Sequence, residues 1–526
     1  EKRKTQLEVF LTRYITMKQS LILLGLALGA EASPHMMKAG KRTRSIKDDK
    51  SRVSKHLNQL LKKAPEGHKN DIQKEIERLS TDSVSEIDSW YGYPMTLDWI
   101  VDVYFSDDDD ATAYKVILDS GSSNLAIAID DCTNCGEAST TLDLTTDDDM
   151  CIEVTYGSGE WSGVEVESTY VALSSSISTD TTLAGITYQD DFFSGGSSYC
   201  GILGMAYEGI AEGYSSSACS SKSGRSSKNS RNSHRELTDS SESATPFMYS
   251  LREDEAILSN TFAVAMCDDD ADVSIGGVES SMYTGSINYA TTQMTFGEYY
   301  GYYLIYTSGV TVGSTSVDVD NINLYGGLVV DTGTTLHYLP TATVKAIETE
   351  VKSTVGSSIA SNSFFEWESC VSSDDLDSFP TITYTFSESD ASDATTFDVS
   401  LDAEQYMLYY DECYYWGFEE SSLGIFGNVG MNDKVVIFDI ENTQIGFADG
   451  TCSTTSFVSR FKNPKQMLGE IVAEVKKRSS SDLAMGLLSA MAVVGTVLAT
   501  AFVVINKLVK KASSVEEEKE SLLPPL

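Results

Sequence analysis

Two aspartates sit in nearly the same four-residue setting, 212 positions apart: Asp119-Ser120-Gly121-Ser122 and Asp331-Thr332-Gly333-Thr334. A short apolar, β-branched run precedes each, Val116-Ile117-Leu118 and Leu328-Val329-Val330. Such a run reads as a buried strand delivering its Asp onto a tight turn. Glycine two positions later lets the chain turn with almost no steric penalty. The flanking hydroxyls can donate to the partner loop and to the carboxylate. A lone Asp-Gly turn is common and says little. Two copies, one in each half, point to two carboxylates brought together about a pseudo-twofold axis. Carboxyls about 3 Å apart cannot both ionise easily, so they share a proton and titrate as a unit. The ionised member can take a proton from water while the protonated one donates to a carbonyl. That chemistry requires no metal and no cofactor, and neither is expected.

Further segments extend the pattern. Tyr156-Gly157-Ser158-Gly159-Glu160-Trp161-Ser162-Gly163 follows the first Asp. Gly201-Ile202-Leu203-Gly204 and Ile425-Phe426-Gly427 are apolar-apolar-Gly segments, one in each half, and Tyr283-Thr284-Gly285-Ser286 lies between the halves. With the paired Asp motifs, these resemble the pepsin-family (A1) aspartic proteases from about residue 95 to 455, and most of all the membrane-anchored beta-secretase (memapsin) group. The resemblance implies an all-β, bilobal fold with pseudo-twofold symmetry. It implies peptide hydrolysis by Asp119 and Asp331, with Ser122 and Thr334 bonding the outer carboxylate oxygens. Ser120 and Thr332 would lock the two loops together, with Gly121 and Gly333 forming the turns. Tyr156 and Trp161 would belong to the flap over the cleft. In pepsins a Trp soon after the first motif bonds the flap Tyr. Asn124-Leu125-Ala126-Ile127-Ala128 has none, whereas Trp161 lies five residues beyond Tyr156, as in the secretase-like flap. An indole N–H needs a buried acceptor, and the Tyr156 hydroxyl is the expected one.

The chain also departs from the family pattern. Ser120 stands where Thr is commoner, keeping the hydroxyl and losing a methyl. Cys200 precedes Gly-Ile-Leu-Gly where an Asp is usual. Asp107-Asp108-Asp109-Asp110 replaces a Gly-x-Pro turn and reads as a solvated hairpin tip, not a metal site.

The net charge of −40 is unevenly spread. Basic residues gather before residue 80, in the 222–235 stretch and near the C-terminus, leaving an acidic body that would repel nucleic acid. Acid lowers such self-repulsion, which suits an acidic compartment. Nine cysteines without Cys-His clustering argue for disulfides over zinc. The resemblance implies Cys370–Cys413 and Cys267–Cys452. Two of Cys132, Cys135 and Cys151 are expected to pair, Cys200 and Cys219 form a candidate pair, and the odd count leaves at least one thiol over.

The ends add a topology. Residues 1–16 form an upstream segment ahead of Met17. Residues 17–32 read as a signal peptide: a basic start, an apolar run too short to span, and an Ala30-Glu31-Ala32 cleavage pattern. Residues 33–92 turn basic and helix-friendly, with Leu57, Leu60 and Leu61 on one helix face, and read as a propeptide whose lysines block the Asp pair. The N-terminal lobe is expected over 93–284, with a Ser-rich insertion at 213–244, and the C-terminal lobe over 285–458. A stalk (459–483) leads to an uncharged stretch, 484–505, long enough for one transmembrane helix. Lys507, Lys510 and Lys511 place the tail (506–526) in the cytosol. Its Glu518, Leu522 and Leu523 resemble an acidic dileucine signal read by clathrin adaptors. No N-glycosylation sequon occurs.

These observations together predict a single-pass type I membrane aspartic endopeptidase of the secretory pathway, at the endosome, lysosome or vacuole, Golgi or cell surface. It would cut peptide or protein substrates, at acidic pH. The competing expectation is a catalytically inactive, membrane-tethered binding or sorting protein on the same fold.

Overall fold

The computed structural model describes residues 35–44, 46–81 and 96–451, except 109–110, 137, 145–149, 156–159, 175–176, 191, 194–198, 217, 220–241, 268–269, 390, 392 and 411. The expected signal peptide, stalk, transmembrane stretch, cytosolic tail, Tyr156 and Cys452 lie outside the described residues, as does most of the Ser-rich insertion. No helix among the described residues is long and apolar enough to cross a membrane.

Strands dominate, in a 13-stranded and a 9-stranded sheet. Helices make the fold less purely β than expected. Ile46–Lys63 and Glu66–Thr81 form a helical pair, and Thr341–Val355 packs Val344, Ile347 and Val351 into the C-terminal core. The i, i+3, i+7 spacing of those three residues puts them on one face of a helix.

The two halves repeat one local arrangement. Tyr114–Asp119 ends in the first Asp; its last four residues are buried because strands cover it on both sides. Gly201–Gly204 runs parallel to it and antiparallel to Leu125–Thr133. In the other half, Leu328–Val330 delivers the second Asp. Ile425–Phe426 runs parallel to it and pairs antiparallel with His337–Leu339. Gly204 has to be small, since a Cβ there would stand 2.6 Å from the Asn124 amide nitrogen.

The 13-stranded sheet joins elements from both ends of the chain. Tyr283–Thr291 pairs with Gln444–Gly450 at one edge. In the middle, His35–Arg44 lies between Asp270–Ile275 and Thr96–Val103, antiparallel to both, with six residue pairs on one side and five on the other. A segment ahead of the body of the fold thus supplies an interior strand.

The disulfides refine the cysteine expectations. Cys370–Cys413 forms, and Cys132 bonds Cys135. Cys219 pairs with Cys151 across 68 positions, not with Cys200. Cys200 is the buried free thiol; burial, only partly offset by the Lys115 carbonyl and Ser139, pushes its pKa up to about 11. Cys267 is disulfide-bonded, and its expected partner Cys452 lies outside the described residues.

Candidate active site

Asp119 and Asp331 come to rest in mirrored settings, each almost fully buried. The Gly121 amide donates to Asp119 Oδ1 at 3.0 Å and the Ser122 hydroxyl to Oδ2 at 2.5 Å. The Gly333 amide donates to Asp331 Oδ1 at 2.8 Å and the Thr334 hydroxyl to Oδ2 at 2.6 Å. Each carboxylate is therefore aimed by its own turn.

The two turns are bolted to each other through Ser120 and Thr332. The Ser120 amide donates to Thr332 Oγ1 at 3.0 Å, and the Thr332 amide to Ser120 Oγ at 2.9 Å. The hydroxyls pass their protons onward, Ser120 to the Val330 carbonyl (3.2 Å) and Thr332 to the Leu118 carbonyl (2.9 Å). All four groups are satisfied, so the loops are held at fixed separation in a dry interior. A Cβ on Gly121 would stand 2.8 Å from both Asp331 oxygens, which measures how closely the first loop approaches the second carboxylate. The apolar-apolar-Gly segments brace the loops from behind. The Met205 amide donates to the Asp119 carbonyl (2.8 Å), and the Asp331 amide to the Phe426 carbonyl (3.1 Å). Asn428 adds a side-chain bond to the Thr332 carbonyl at 3.0 Å; the sequence reading missed it.

Removing one hydroxyl tests the bolt. Ser120→Ala leaves the Thr332 amide without an acceptor, at roughly 1–3 kcal/mol for a buried unpaired donor. We expect a lower melting temperature and reduced kcat, measured by calorimetry and steady-state hydrolysis. Ser120→Thr, which restores a hydroxyl, should lose little of either.

Trp161 is buried on the strand Glu160–Ser174, in a cluster with Phe192, Phe193 and Tyr199. Tyr156, and with it the expected indole bond, lies outside the described residues. No cluster able to hold a metal ion occurs among the described residues.

Sequence reasoning expected lysines of 33–92 over the dyad without saying which, and it did not foresee His56. The helix Ile46–Lys63 crosses the dyad with Lys55 and His56 turned inward. His56 Nε2 lies 2.9 Å from Asp331 Oδ2, and Lys55 Nζ lies 3.7 Å from Asp119 Oδ2, all four side chains at most 4% exposed. Burial alone would raise the Asp331 pKa. The hydrogen bond and charge of His56, with Thr334 and Gly333, outweigh it and hold that carboxyl well below the usual range. Tyr302 donates to Gln59 Oε1 at 2.5 Å, one turn beyond His56. Val53, Leu57 and Leu60 are buried from the same helix. Lys62 pairs with Glu212 at 2.6 Å, and Lys63 donates to the Gly209 carbonyl. The second helix is tied to the other lobe: Arg78 donates to the Glu420 carbonyl at 2.7 Å, and Glu75 accepts the Ser422 amide at 3.1 Å. An adjacent Lys-His pair in a basic, helix-forming segment is the signal that could have identified Lys55 and His56.

Known proteins show the same arrangement of sequence. The family model described as eukaryotic aspartyl protease matches residues 109–450. Pepsin A of Sus scrofa is 25% identical over 360 residues, covering 64% of this chain and 78% of the relative. A beta-secretase of Strongylocentrotus purpuratus is 26% identical over 384 residues, 64% of each chain. The aspartic proteinase nepenthesin-1 of Nepenthes gracilis is 25% identical over 194 residues, covering 34% of this chain and 42% of the relative.

Proposed function

The chain belongs to the eukaryotic aspartyl protease family and is an aspartic endopeptidase; from that premise we propose that it is made as a self-blocked, membrane-anchored precursor whose working groups are Asp119 and Asp331. The reading rests above all on one observation: two carboxylates, held by mirrored turns, each face one basic side chain of the same preceding helix.

Once the helix has left, the vacated space between the carboxylates takes a water and the scissile carbonyl. The ionised Asp accepts a proton from that water as its oxygen attacks the carbonyl carbon. The protonated Asp donates to the carbonyl oxygen, giving a neutral tetrahedral diol. Collapse moves a proton to the leaving amine and restores the shared proton, with no covalent enzyme intermediate. Ser122 and Thr334 hold Oδ2, and the Gly121 and Gly333 amides hold Oδ1, so both carboxylates are fixed in orientation for the substrate. Tyr156 closes the flap over the scissile bond, and Trp161 anchors its base.

Residues 33–92 act as the inhibitory prosegment, 17–32 as the signal peptide and 484–505 as a single type I span. Glu518, Leu522 and Leu523 offer an adaptor signal for sorting to an acidic endosomal or vacuolar compartment. The substrates are peptides or proteins of the secretory pathway. The test is hydrolysis of a mixed peptide library by the full chain from pH 3 to 7, before and after prosegment removal, beside Asp119→Ala. Acid-peaked cleavage that appears on removal and is absent from the variant is the expected result. Undiminished cleavage by Asp119→Ala refutes the reading.

A further inference from the structure

The second helix of the pair, Glu66–Thr81, sits on the C-terminal lobe through one stripe of side chains: His68, Ile72, Glu75 and Arg78, at i, i+4, i+7 and i+10. The His68 ring lies 5.6 Å from that of Phe296 and 6.4 Å from that of Tyr325. Ile72 is fully buried. A Glu75 oxygen accepts the Ser422 amide at 3.1 Å, and Arg78 donates to the Glu420 carbonyl at 2.7 Å while pairing with Glu75 at 2.8 Å. Asp71, Gln73, Lys74 and Glu77, on the other side of the helix, are exposed.

The seat is built from the catalytic body. Phe296 and Gly297 are the central residues of a tight turn, closed by the Glu298 amide on the Thr295 carbonyl at 3.0 Å, and their φ angles are 53° and 72°. Positive φ at both positions is the type I′ pattern, which favours Asn-Gly. A bulky aromatic in the left-handed region is an outlier of the kind that collects at ligand clamps. The turn sets the Phe296 ring edge-on to Tyr325 at 5.9 Å, and the Phe296 amide donates to the Tyr325 carbonyl at 3.1 Å. Phe418–Glu420 is the end strand of the 9-stranded sheet, so the Glu420 carbonyl and Ser422 amide lie at a sheet edge. Lys345 and Thr341, from the helix Thr341–Val355, hold the Glu420 carboxylate at 3.1 and 2.8 Å. Met294 and Leu324, sequence neighbours of Phe296 and Tyr325, are 39% and 38% exposed, so apolar surface continues past the helix.

We propose that, once residues 33–92 have left, this seat is an exosite that recruits substrate proteins through an amphipathic helix carrying a ring, an aliphatic residue, a carboxylate and a guanidinium at i, i+4, i+7 and i+10. This rests on the prosegment reading above. The protein's own helix shows which chemistry the seat accepts: a ring against Phe296 and Tyr325, a carboxylate on the Ser422 amide and a guanidinium on the Glu420 carbonyl. It is recognition of a helix by its apolar stripe, with polar groups at one end fixing register. None of the seat residues belongs to the two aspartate turns. Docking there therefore raises the local concentration of the scissile bond and lowers KM, with the chemical step untouched.

The test uses the full chain after prosegment removal and one cleavable peptide, plain or carrying Glu66–Thr81 through a flexible Gly-Ser linker at either end in turn. The tagged substrate should show a KM lower by about tenfold or more with kcat nearly constant. The readout is the ratio of kcat/KM, tagged to plain. Free Glu66–Thr81 peptide should return that ratio to one. Ile72→Asp or Arg78→Ala in the tag should lower it without any change to the enzyme. Phe296→Asn in the enzyme should bring it near one without lowering the melting temperature, because asparagine suits that turn. A ratio of one with the tag at both ends overturns the exosite, as does a high ratio that survives Ile72→Asp in the tag. Lys74→Pro in the tag breaks the helix from its exposed side and should also fail; equal recruitment by that tag refutes the helix as occupant. Failure of the prosegment reading looks different: the active enzyme would still carry Glu66–Thr81 by mass spectrometry, and both readings would fall. An enzyme that has shed that helix and gives a ratio of one removes the exosite alone.

Discussion

Asp331→Ala is expected to leave a folded protein whose kcat/KM for peptide hydrolysis is lower by about four decades or more, as when one member of a catalytic unit is removed. The carboxylate is fully buried and accepts bonds from Gly333 and Thr334, so its loss leaves two donors unpaired. That costs about 1–3 kcal/mol each at most, little enough for the body to stay folded. Asp119→Ala should give a loss of similar size, and the double variant should be hardly worse than either, because the two groups act on one water. Hydrolysis of a peptide substrate by the prosegment-free forms measures all three. Retention of activity within tenfold in Asp331→Ala would remove Asp331 from the chemistry.

The second large effect concerns stability. His337 is completely buried a few residues beyond the second dyad loop. It stacks on Phe418 at 4.8 Å and lies against Tyr384 and Phe426. Among the described residues neither ring nitrogen has a hydrogen-bond partner. Burial holds its pKa down at about 3, against an ordinary value of 6.5. In the unfolded chain the imidazole takes up a proton below about pH 6.5; in the native protein it does not until about pH 3. The unfolded state therefore binds the extra proton across that window, and native stability falls as pH drops through it, levelling off below pH 3. At pH 4 the loss is roughly 3 kcal/mol. His337→Leu should abolish this component and gain about 1 kcal/mol at pH 7 by removing two unpaired nitrogens. Urea denaturation of the two proteins from pH 4 to 7 would measure it. Equal slopes of stability against pH would exclude His337 as the cause. Because His337–Leu339 pairs with Ile425 and with Phe418–Glu420, strain there would reach the second aspartate's loop first.

What could be read from sequence was what is local. The two Asp turns carry their own strand, glycine and hydroxyls within a few residues, so types and spacing were enough to place them. Gly201–Gly204 and Ile425–Phe426 could be read for the same reason. The helix around Leu57 and Leu60 showed in its apolar spacing, and its basic composition pointed to the Asp pair, but which of its residues reach the pair did not show. His56 meets Asp331 across 275 positions, and the local cue, an adjacent Lys-His pair, does not name its partner. Lys55 was one lysine among many in a basic stretch. His337 sits in Leu336-His337-Tyr338-Leu339, where a polar residue in an apolar strand could equally have faced solvent; only the ring packing decides. The Cys151–Cys219 bond joins the start of the strand Cys151–Thr155 to a residue 68 positions on, an approach that no local pattern encodes.

On the prosegment reading, the strand His35–Arg44 would give scission and departure separate barriers. A cut after the helical pair breaks one covalent bond and leaves that strand hydrogen-bonded to a neighbour on each side. The immediate product is then a nicked two-chain complex, whose lifetime is set by how fast a ribbon can be drawn out of the interior of a sheet. Two edges are left facing each other when it goes, and until they are rejoined the two halves of that sheet share fewer backbone bonds than at any other stage. On that reading maturation would be timed like unfolding, not like ligand release, and its slow step should rise with temperature as steeply as unfolding does.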